Sequence, residues 1–554
     1  MIDSRVRRKA LIIGLDGATF DVLNSLMSDG KLPNIKYLKE SGAHGNLQST
    51  VPPVTGPAWV SMVTGKNPGK TGVFDHIIKR ENSFYFEPIT SNHLRQSRCL
   101  WDYLSERGMK VGILNFPILF PPYEINGFMV SGLNSPDTDN ITYPRELKKE
   151  LDMVANGYEI MFPYNDPKYK GKEEVVLDGF HNLLNKRIKA TRYLLEKNEW
   201  DFFMVVFSVC DFVQHYLWKD WDDTYPLYRS NKSKKLKEEF TNIWRKLDQA
   251  LGEILKLRKK ETNVFLVSDH GFGPLSEQFF INSWLEKHGY LVMKPRSKSL
   301  YTHMKALSQP LKKAYGPIMA KAINFIKSRT NLPIARFTSL IDFNKTRAVA
   351  GEHTSIFGGI YILVNNKCSS TFKRSAVYQK LKDEIIGKLR DLPREFTHIH
   401  KVNIYESQNI YKGSYTKNAP DIIFDINDFK CSIITDRFDK TIFKTVPASQ
   451  SMTGTHRMNG IFIAQGPDIE KTEVKNMKII DVCPSILYLL GFPIPDDIDG
   501  RVVTEIVKQD FLKDNSIRYK KMEKIKKHGV SQTEGISKEQ EHAIKERLKG
   551  LGYL

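Results

Sequence analysis

Consecutive apolar residues recur in short runs along this chain: Ala10-Leu11-Ile12-Ile13-Gly14-Leu15, Phe202-Phe203-Met204-Val205-Val206-Phe207, Val264-Phe265-Leu266-Val267 and residues 461–464. A strand that is apolar at every position is covered on both faces, which is the pattern of a parallel sheet between helical layers. Shorter strand-like runs lie at 111–114, 359–364 and 421–425, with helical periodicity between them. Val22, Leu23 and Leu26 follow a cap at Asp21, residues 376–389 form a helix, and 482–490 form another, capped by Asp481 and stopped at Gly491. Pro57 is placed to open a helix as its first residue. The expected fold is α/β: a mainly parallel central sheet sandwiched by helices, with a helical cap insertion and a helical C-terminal tail.

At 554 residues the chain exceeds one compact core. The pattern divides it into the first part of the α/β domain (1–284), a basic helical cap insertion (285–345), the second part of that domain (346–506) and a lysine-rich helical tail (507–554). Residues 136–180 are polar, tyrosine-rich and poorly periodic, and are placed over the rim of the site. In the insertion Met304, Leu307, Leu311, Tyr315, Ile318, Ala322 and Phe325 recur at helical spacing. Such a helix either makes peripheral contact with an anionic membrane or turns its stripe to its own domain; the second reading is preferred. In the tail, Ser537 and Gln540 form a capping box, and the Ile544/Leu548 stripe docks on the main domain.

The net charge of +20 points to anionic partners such as phosphate esters, nucleic acid or lipid head groups. No interleaving of aromatic and basic residues marks a specific nucleic-acid partner. The five cysteines are scattered without a CxxC pair, which favours a reducing compartment over disulfides or a cysteine-zinc site. With no apolar segment ahead of the first strand and none of the ~20 residues a membrane span needs, the expected location is cytoplasmic.

Ligands of parallel sheets bind at the carboxyl ends of the strands. There the chain places Asp16, then Asp211 with His215, then Asp269 with His270. Asp211 and His215 are four apart, on one face of a helical turn. Asp269 and His270 converge only if the backbone turns, which Gly271 permits. Thr55 follows Pro52-Pro53 and meets a helix start, where free N–H groups receive a phosphoryl oxygen. His456 lies in a glycine-flanked loop. Each residue alone reads equally as a cap, a loop acid or a surface histidine. Together they form an oxygen and imidazole donor set without thiolate, which suits zinc, manganese or related divalent ions and is numerous enough for two.

Gly14-Leu15-Asp16-Gly17, Val54-Thr55-Gly56-Pro57 with Thr64-Gly65 and Pro68, Asp211-x-x-x-His215, Asp269-His270-Gly271 and Gly454-Thr455-His456 occur in the order of the alkaline phosphatase superfamily. Over residues 9–505 the chain most resembles its type I phosphodiesterase and nucleotide pyrophosphatase branch. The resemblance implies one metal on Asp211, His215 and His456, and a second on Asp16, Asp269 and His270 with the Thr55 hydroxyl as nucleophile. It implies two divalent ions, usually zinc, a phospho-threonine intermediate and a phosphate-ester small-molecule substrate. His76 stands where the branch commonly carries an asparagine that holds a phosphate oxygen. A sulfatase is disfavoured, since Thr55 and Trp59 replace the cysteine or serine and the arginine of that signature. Phosphomonoesterase, phosphonate hydrolase or phosphomutase chemistry remains the alternative, with a non-catalytic binder of anionic polymers or lipid head groups behind it.

Overall fold

The apolar runs lie side by side. In the computed structural model, which describes residues 8–80, 83–136, 138–225, 230–294, 340–363, 375–435, 439, 441–447, 452–522 and 536–553, they build a nine-stranded sheet. Its strands are β1 (Lys9–Leu15), β2 (Ala43–Gln48), β3 (Val111–Phe116), β4 (Gly127–Ser131), β5 (Thr142–Tyr143), β6 (Phe202–Phe207), β7 (Thr262–Val267), β8 (Asn459–Gln465) and β9 (Met477–Lys478), in the spatial order β9-β2-β8-β7-β1-β6-β3-β4-β5. β7, β1, β6, β3 and β4 run parallel, while β8 and β5 are antiparallel to their inner neighbours.

Alternation along the strands separates two apolar layers. Leu11, Ile13, Phe203, Val205 and Leu266 pack with Phe180, Leu184, Trp244 and Leu247 of the helices Glu173–Lys197 and Ser230–Lys256. Ile12, Met204, Val206 and Phe265 face the other way, against Trp59, Trp101 and Ile486. Full burial of each large side chain contributes roughly 1.5–3 kcal/mol, so both layers hold the sheet as the continuous apolar runs require.

Register then positions the chemistry. Leu15 is level with Phe207, and Gly14 with both Val206 and Val267, so β1, β6 and β7 end at one edge within a residue of each other. Antiparallel β8 begins at that edge, with Asn459 opposite Gln48 at the end of β2. Five segments distant in sequence therefore leave the sheet at a common rim. Two helices start there: α1 (Thr55–Thr64) and α2 (Val209–Trp221).

Several local expectations are corrected. Helix α1 begins at Thr55, two residues before Pro57, with Val54 as its N-cap. Asp21 lies inside the first turn of Phe20–Ser28, behind Thr19. Asp481 stands at the N-cap of Val482–Leu489 as expected, but its carboxylate accepts from the amides of Lys478 and Arg501 and not from those of the helix. The stretch 136–180 contains the helix Leu147–Ala155 and the first turns of Glu173–Lys197. The strands Gly358–Ile362 and Ile422–Ile426 do not extend the central sheet. They pair antiparallel in a separate four-stranded sheet with Ala348–Ala350 and Val402–Glu406, backed by the helix Ala376–Arg390. The basic run from Met304 to Phe325 lies outside the described residues. Among the described residues no helix is long and apolar enough to cross a membrane.

Candidate metal centre

Asp16 leaves β1 into a turn that requires Gly17 in the left-handed region, at φ 69°. A Cβ there would also lie 2.9 Å from Phe272. The Gly17 amide donates to Asp269 Oδ1 at 3.1 Å and ties the exits of β1 and β7 together. Gly271 has a different part from the turn expected of it. It opens the strand Gly271–Pro274, which pairs with Gly454–Arg457, and a Cβ on it would lie 2.0 Å from the Asn459 carbonyl. That close approach, and not a left-handed backbone, brings His270 against His456.

The six acid and histidine side chains meet, and Thr55 joins them. His456 Nε2 lies 3.1 Å from His215 Nε2 and 3.3 Å from Asp211 Oδ1, and His215 Nε2 is 3.5 Å from the same oxygen. His270 Nε2 lies 3.2 Å from Asp269 Oδ2, 3.6 Å from Asp16 Oδ1 and 3.3 Å from Thr55 Oγ1. The two groups share a wall: the His270 and His456 rings stack with centroids 3.5 Å apart, and Asp211, His270 and His456 also present ligand atoms to a common point. His270 thus stands between the sets, where the family pattern assigns it to one of them. All seven residues are at most 2% exposed, counting side chains.

The tautomers follow from backbone carbonyls. Nδ1 of His215 faces the Gly454 carbonyl at 2.8 Å, that of His456 the Pro53 carbonyl at 2.9 Å, and that of His270 the Gly271 carbonyl at 3.0 Å. A carbonyl only accepts, so each Nδ1 carries the proton and each Nε2 turns a lone pair inward. Among the described residues no hydrogen-bond donor reaches Asp16 Oδ1, Asp211 Oδ1 or Asp269 Oδ2. Lone pairs and carboxylate oxygens at 3.1–3.6 Å repel one another unless cations lie between them. Donors bound at about 2.0–2.1 Å to a tetrahedral zinc stand ~3.3–3.4 Å apart, the spacing observed here. The residues therefore fit divalent metal, and they orient their ligand atoms before it binds.

Electrostatics agree. Burial pushes the Asp16 carboxyl well above its ordinary range, as do Asp269 and Asp211 beside it. Burial raises Asp269 likewise, with Asp211 adding to it. Burial also opposes ionisation of Asp211, but the positive charge of His215 and His456 in their imidazolium forms outweighs it and holds that carboxyl low. Burial lowers His215 to about 4, leaving a neutral imidazole at pH 7.

A model of the type I phosphodiesterase / nucleotide pyrophosphatase family matches residues 10–459, which include every one of these ligands. The chain belongs to that family. It is a phosphoester hydrolase, and the family acts on phosphate-ester small molecules. Among solved structures, murine ectonucleotide pyrophosphatase/phosphodiesterase 5, in an inactive form in complex with AMP, is similar with a TM-score of 0.49 at 13% identity, over 90% of this chain and 100% of that one. Human ectonucleotide pyrophosphatase/phosphodiesterase 5 is similar with a TM-score of 0.47 at 14% identity, over 90% and 100%. No curated protein matches the sequence.

Two further features of this phosphodiesterase-family site are set by the fold: the proton position on His76, and a residue that its motifs do not name. His76 is fully buried with Nδ1 3.0 Å from Asn134 Oδ1, and the Asn134 amide donates to the His76 carbonyl at 2.9 Å. That orientation of Asn134 puts the His76 proton on Nδ1. Neutral His76 thus offers a lone pair at Nε2, where an asparagine would offer an N–H. The second feature is Tyr553, whose ring lies 5.0 Å from that of His76. Nothing in the spacing of an aromatic residue near the end of a helix marks it as part of a site. On the other side of the centre, Val54 packs with Phe74, Ile356, Phe357 and Tyr411. The Tyr411 hydroxyl donates to the Val51 carbonyl at 2.5 Å, so the chain between the strands Val402–Glu406 and Ile422–Ile426 is bonded to the segment leading into Thr55.

Proposed function

We propose that the protein is a two-metal phosphodiesterase or nucleotide pyrophosphatase that works through a phospho-threonine intermediate at Thr55. The observation that supports this best is the convergence of three Nε2 lone pairs and three carboxylate oxygens without donors beside the Thr55 hydroxyl. Asp211, His215 and His456 would hold one divalent ion, and Asp16, Asp269 and His270 the other together with the Thr55 oxygen. The donor chemistry suits zinc, with manganese the alternative. Such ions neutralise the phosphoryl oxygens and lower the pKa of a hydroxyl, so that an alkoxide exists near neutral pH.

The remaining work belongs to the chain. Thr55 is the first residue of α1, so its oxygen sits at the positive end of the helix dipole, which favours an anionic group there. The 3.3 Å contact with His270 Nε2 holds its side chain toward the centre. The Thr55 oxygen attacks phosphorus, forming the P–Oγ bond as the bond to the leaving alcohol or phosphate breaks. Water then cleaves P–Oγ and restores the hydroxyl. The buried ligands keep bulk water away from these charges, which strengthens every electrostatic contact in the site. We also place the protein in a reducing, cytoplasmic setting, as the scattered cysteines without a CxxC pair suggest.

The test is hydrolysis of a chromogenic phosphodiester beside a phosphomonoester, with and without chelator. Chelation should abolish diester turnover, and Thr55→Ala should remove both turnover and the trapped phospho-enzyme. Retained turnover in Thr55→Ala refutes the nucleophile. A faster monoester moves the assignment to the phosphomonoesterase reading.

A further inference from the structure

The helix α3 (Lys538–Leu551) ends beside the metal centre. Ser537 and Gln540 close the capping box expected at its start, and Ile544, Leu548 and Leu551 are fully buried in the core layer that also contains Phe180. Gly552 takes the left-handed conformation, φ 85°, and turns the chain so that Tyr553 points inward. The Tyr553 hydroxyl donates to Asp211 Oδ2 at 2.5 Å. Its ring lies 5.8 Å from that of His215 and 6.2 Å from that of His456. The docking is held at several further points. The Tyr164 hydroxyl donates to the Leu551 carbonyl at 3.1 Å, the Asn165 amide to the Gly550 carbonyl at 3.0 Å, and Arg547 to the Ser135 carbonyl at 2.7 Å.

We propose that Tyr553 is a positioning residue of the metal centre: its hydroxyl holds Asp211 by Oδ2, so that Oδ1 alone is presented to the ion shared with His215 and His456. This rests on the two-metal reading above. A carboxylate has two equivalent oxygens, and either can turn toward a cation. Here only Oδ2 has a donor, while Oδ1 lies 3.3 Å and 3.5 Å from the imidazole nitrogens of His456 and His215. A phenol suits this task. It supplies one proton without adding a positive charge that would repel the ion, as a lysine would. The alternative is that the tail merely plugs the site. A plug would take the free ligand oxygen, whereas Tyr553 bonds the other one and leaves Oδ1 open. The segment from Ser537 to Tyr553 is thus a built part of the site, brought to it by the apolar stripe of α3.

The experiment uses the full chain. Zinc is counted per chain by elemental analysis, and affinity is measured by chelator competition at set free zinc. The wild type should hold two ions. Tyr553→Phe keeps the ring and removes only the hydroxyl, and it should weaken one of the two ions by roughly 10–100-fold, as loss of a ligand's supporting hydrogen bond does. The other ion should be unaffected. Ile385→Ala opens a cavity under the helix Ala376–Arg390 and leaves the docked tail intact, so it should lower the melting temperature of the metal-free protein and leave zinc affinity unchanged. Equal affinity in the wild type and Tyr553→Phe overturns the proposal. So does faster turnover in Tyr553→Ala at unchanged affinity, which would mark a plug. Should the wild type hold a single ion, the two-metal reading fails on its own. A weakened ion in Tyr553→Phe then still supports the role of Tyr553, and an unchanged one refutes it.

Discussion

Gly14→Ala probes how the sheet sets the nucleophile. Gly14 stands two residues before Asp16 in β1, and a Cβ built on it would lie 2.4 Å from Trp59 Cη2 and 3.2 Å from two neighbouring ring atoms. Carbon atoms in good contact stand ~3.5–4.0 Å apart, so the ring has to retreat by about 1 Å. It has little room, since Trp59 is fully buried and meets Phe116 edge-on with centroids 6.3 Å apart. Overpacking of this kind costs about 1–3 kcal/mol. Trp59 lies one turn beyond Thr55 on α1, so the displacement is transmitted to the hydroxyl. A 1 Å misplacement of a reacting group costs on the order of 10²-fold in rate, or about 2.7 kcal/mol of barrier. The assay is kcat on a chromogenic phosphodiester at saturating metal, with zinc content and melting temperature measured on the same samples. We expect kcat to fall on the order of 10²-fold, the melting temperature to fall, and metal to be retained. Trp59→Phe in the same background removes the clashing outer ring and should restore much of the rate. Wild-type kcat and melting temperature in Gly14→Ala would refute the argument that this contact positions Thr55.

Three other outcomes follow from the same geometry. Stripping metal with a chelator should lower the melting temperature and readdition should restore it, because an ion at 100 times its dissociation constant stabilises the fold by about 2.7 kcal/mol; a curve indifferent to metal contradicts a centre built from buried acids. Burial raises the Asp425 carboxyl in the strand Ile422–Ile426 from 3.8 to about 6. Its folded pKa lies above the unfolded one, so the folded state keeps a proton the unfolded state releases, and stability is lost as pH rises from about 4 to 6. Asp425→Asn should remove that loss, changing the stability difference from wild type by up to about 3 kcal/mol over this window; parallel pH profiles would count against it. Leu548→Ala should cost about 2–5 kcal/mol in the packing of α3, read as faster hydrogen exchange of Lys538–Leu551 than of the central sheet; unchanged protection would mean the stripe does not dock.

Much of the site could be read from the chain alone because the rule behind it is local. A run such as Phe202–Phe207 is apolar at every position, so it must be buried on both faces, and the polar residue that ends it must stand at a sheet edge. That reasoning names Asp16, Asp211 with His215, and Asp269 with His270 before any coordinates. It says nothing about which strand lies beside which. Pairing of β1 with both β6 and β7, and the register that makes their ends level, come from packing over separations of some two hundred residues. Likewise His76 was visible as a candidate, but its proton position depends on Asn134, which only the fold brings near.

What the amino-acid order determined by itself was the set of buried strands, the donors at their exits and the amphipathic tail helix, because each is encoded in spacing within a dozen residues. What only the tertiary structure decided was the separate antiparallel sheet that Gly358–Ile362 and Ile422–Ile426 join, the sharing of His270 between the two ligand sets, and the arrival of Tyr553 at Asp211. Those depend on long-range contacts such as Gly271 against Asn459 and α3 against the core, whose energies are sums over residues far apart in the chain.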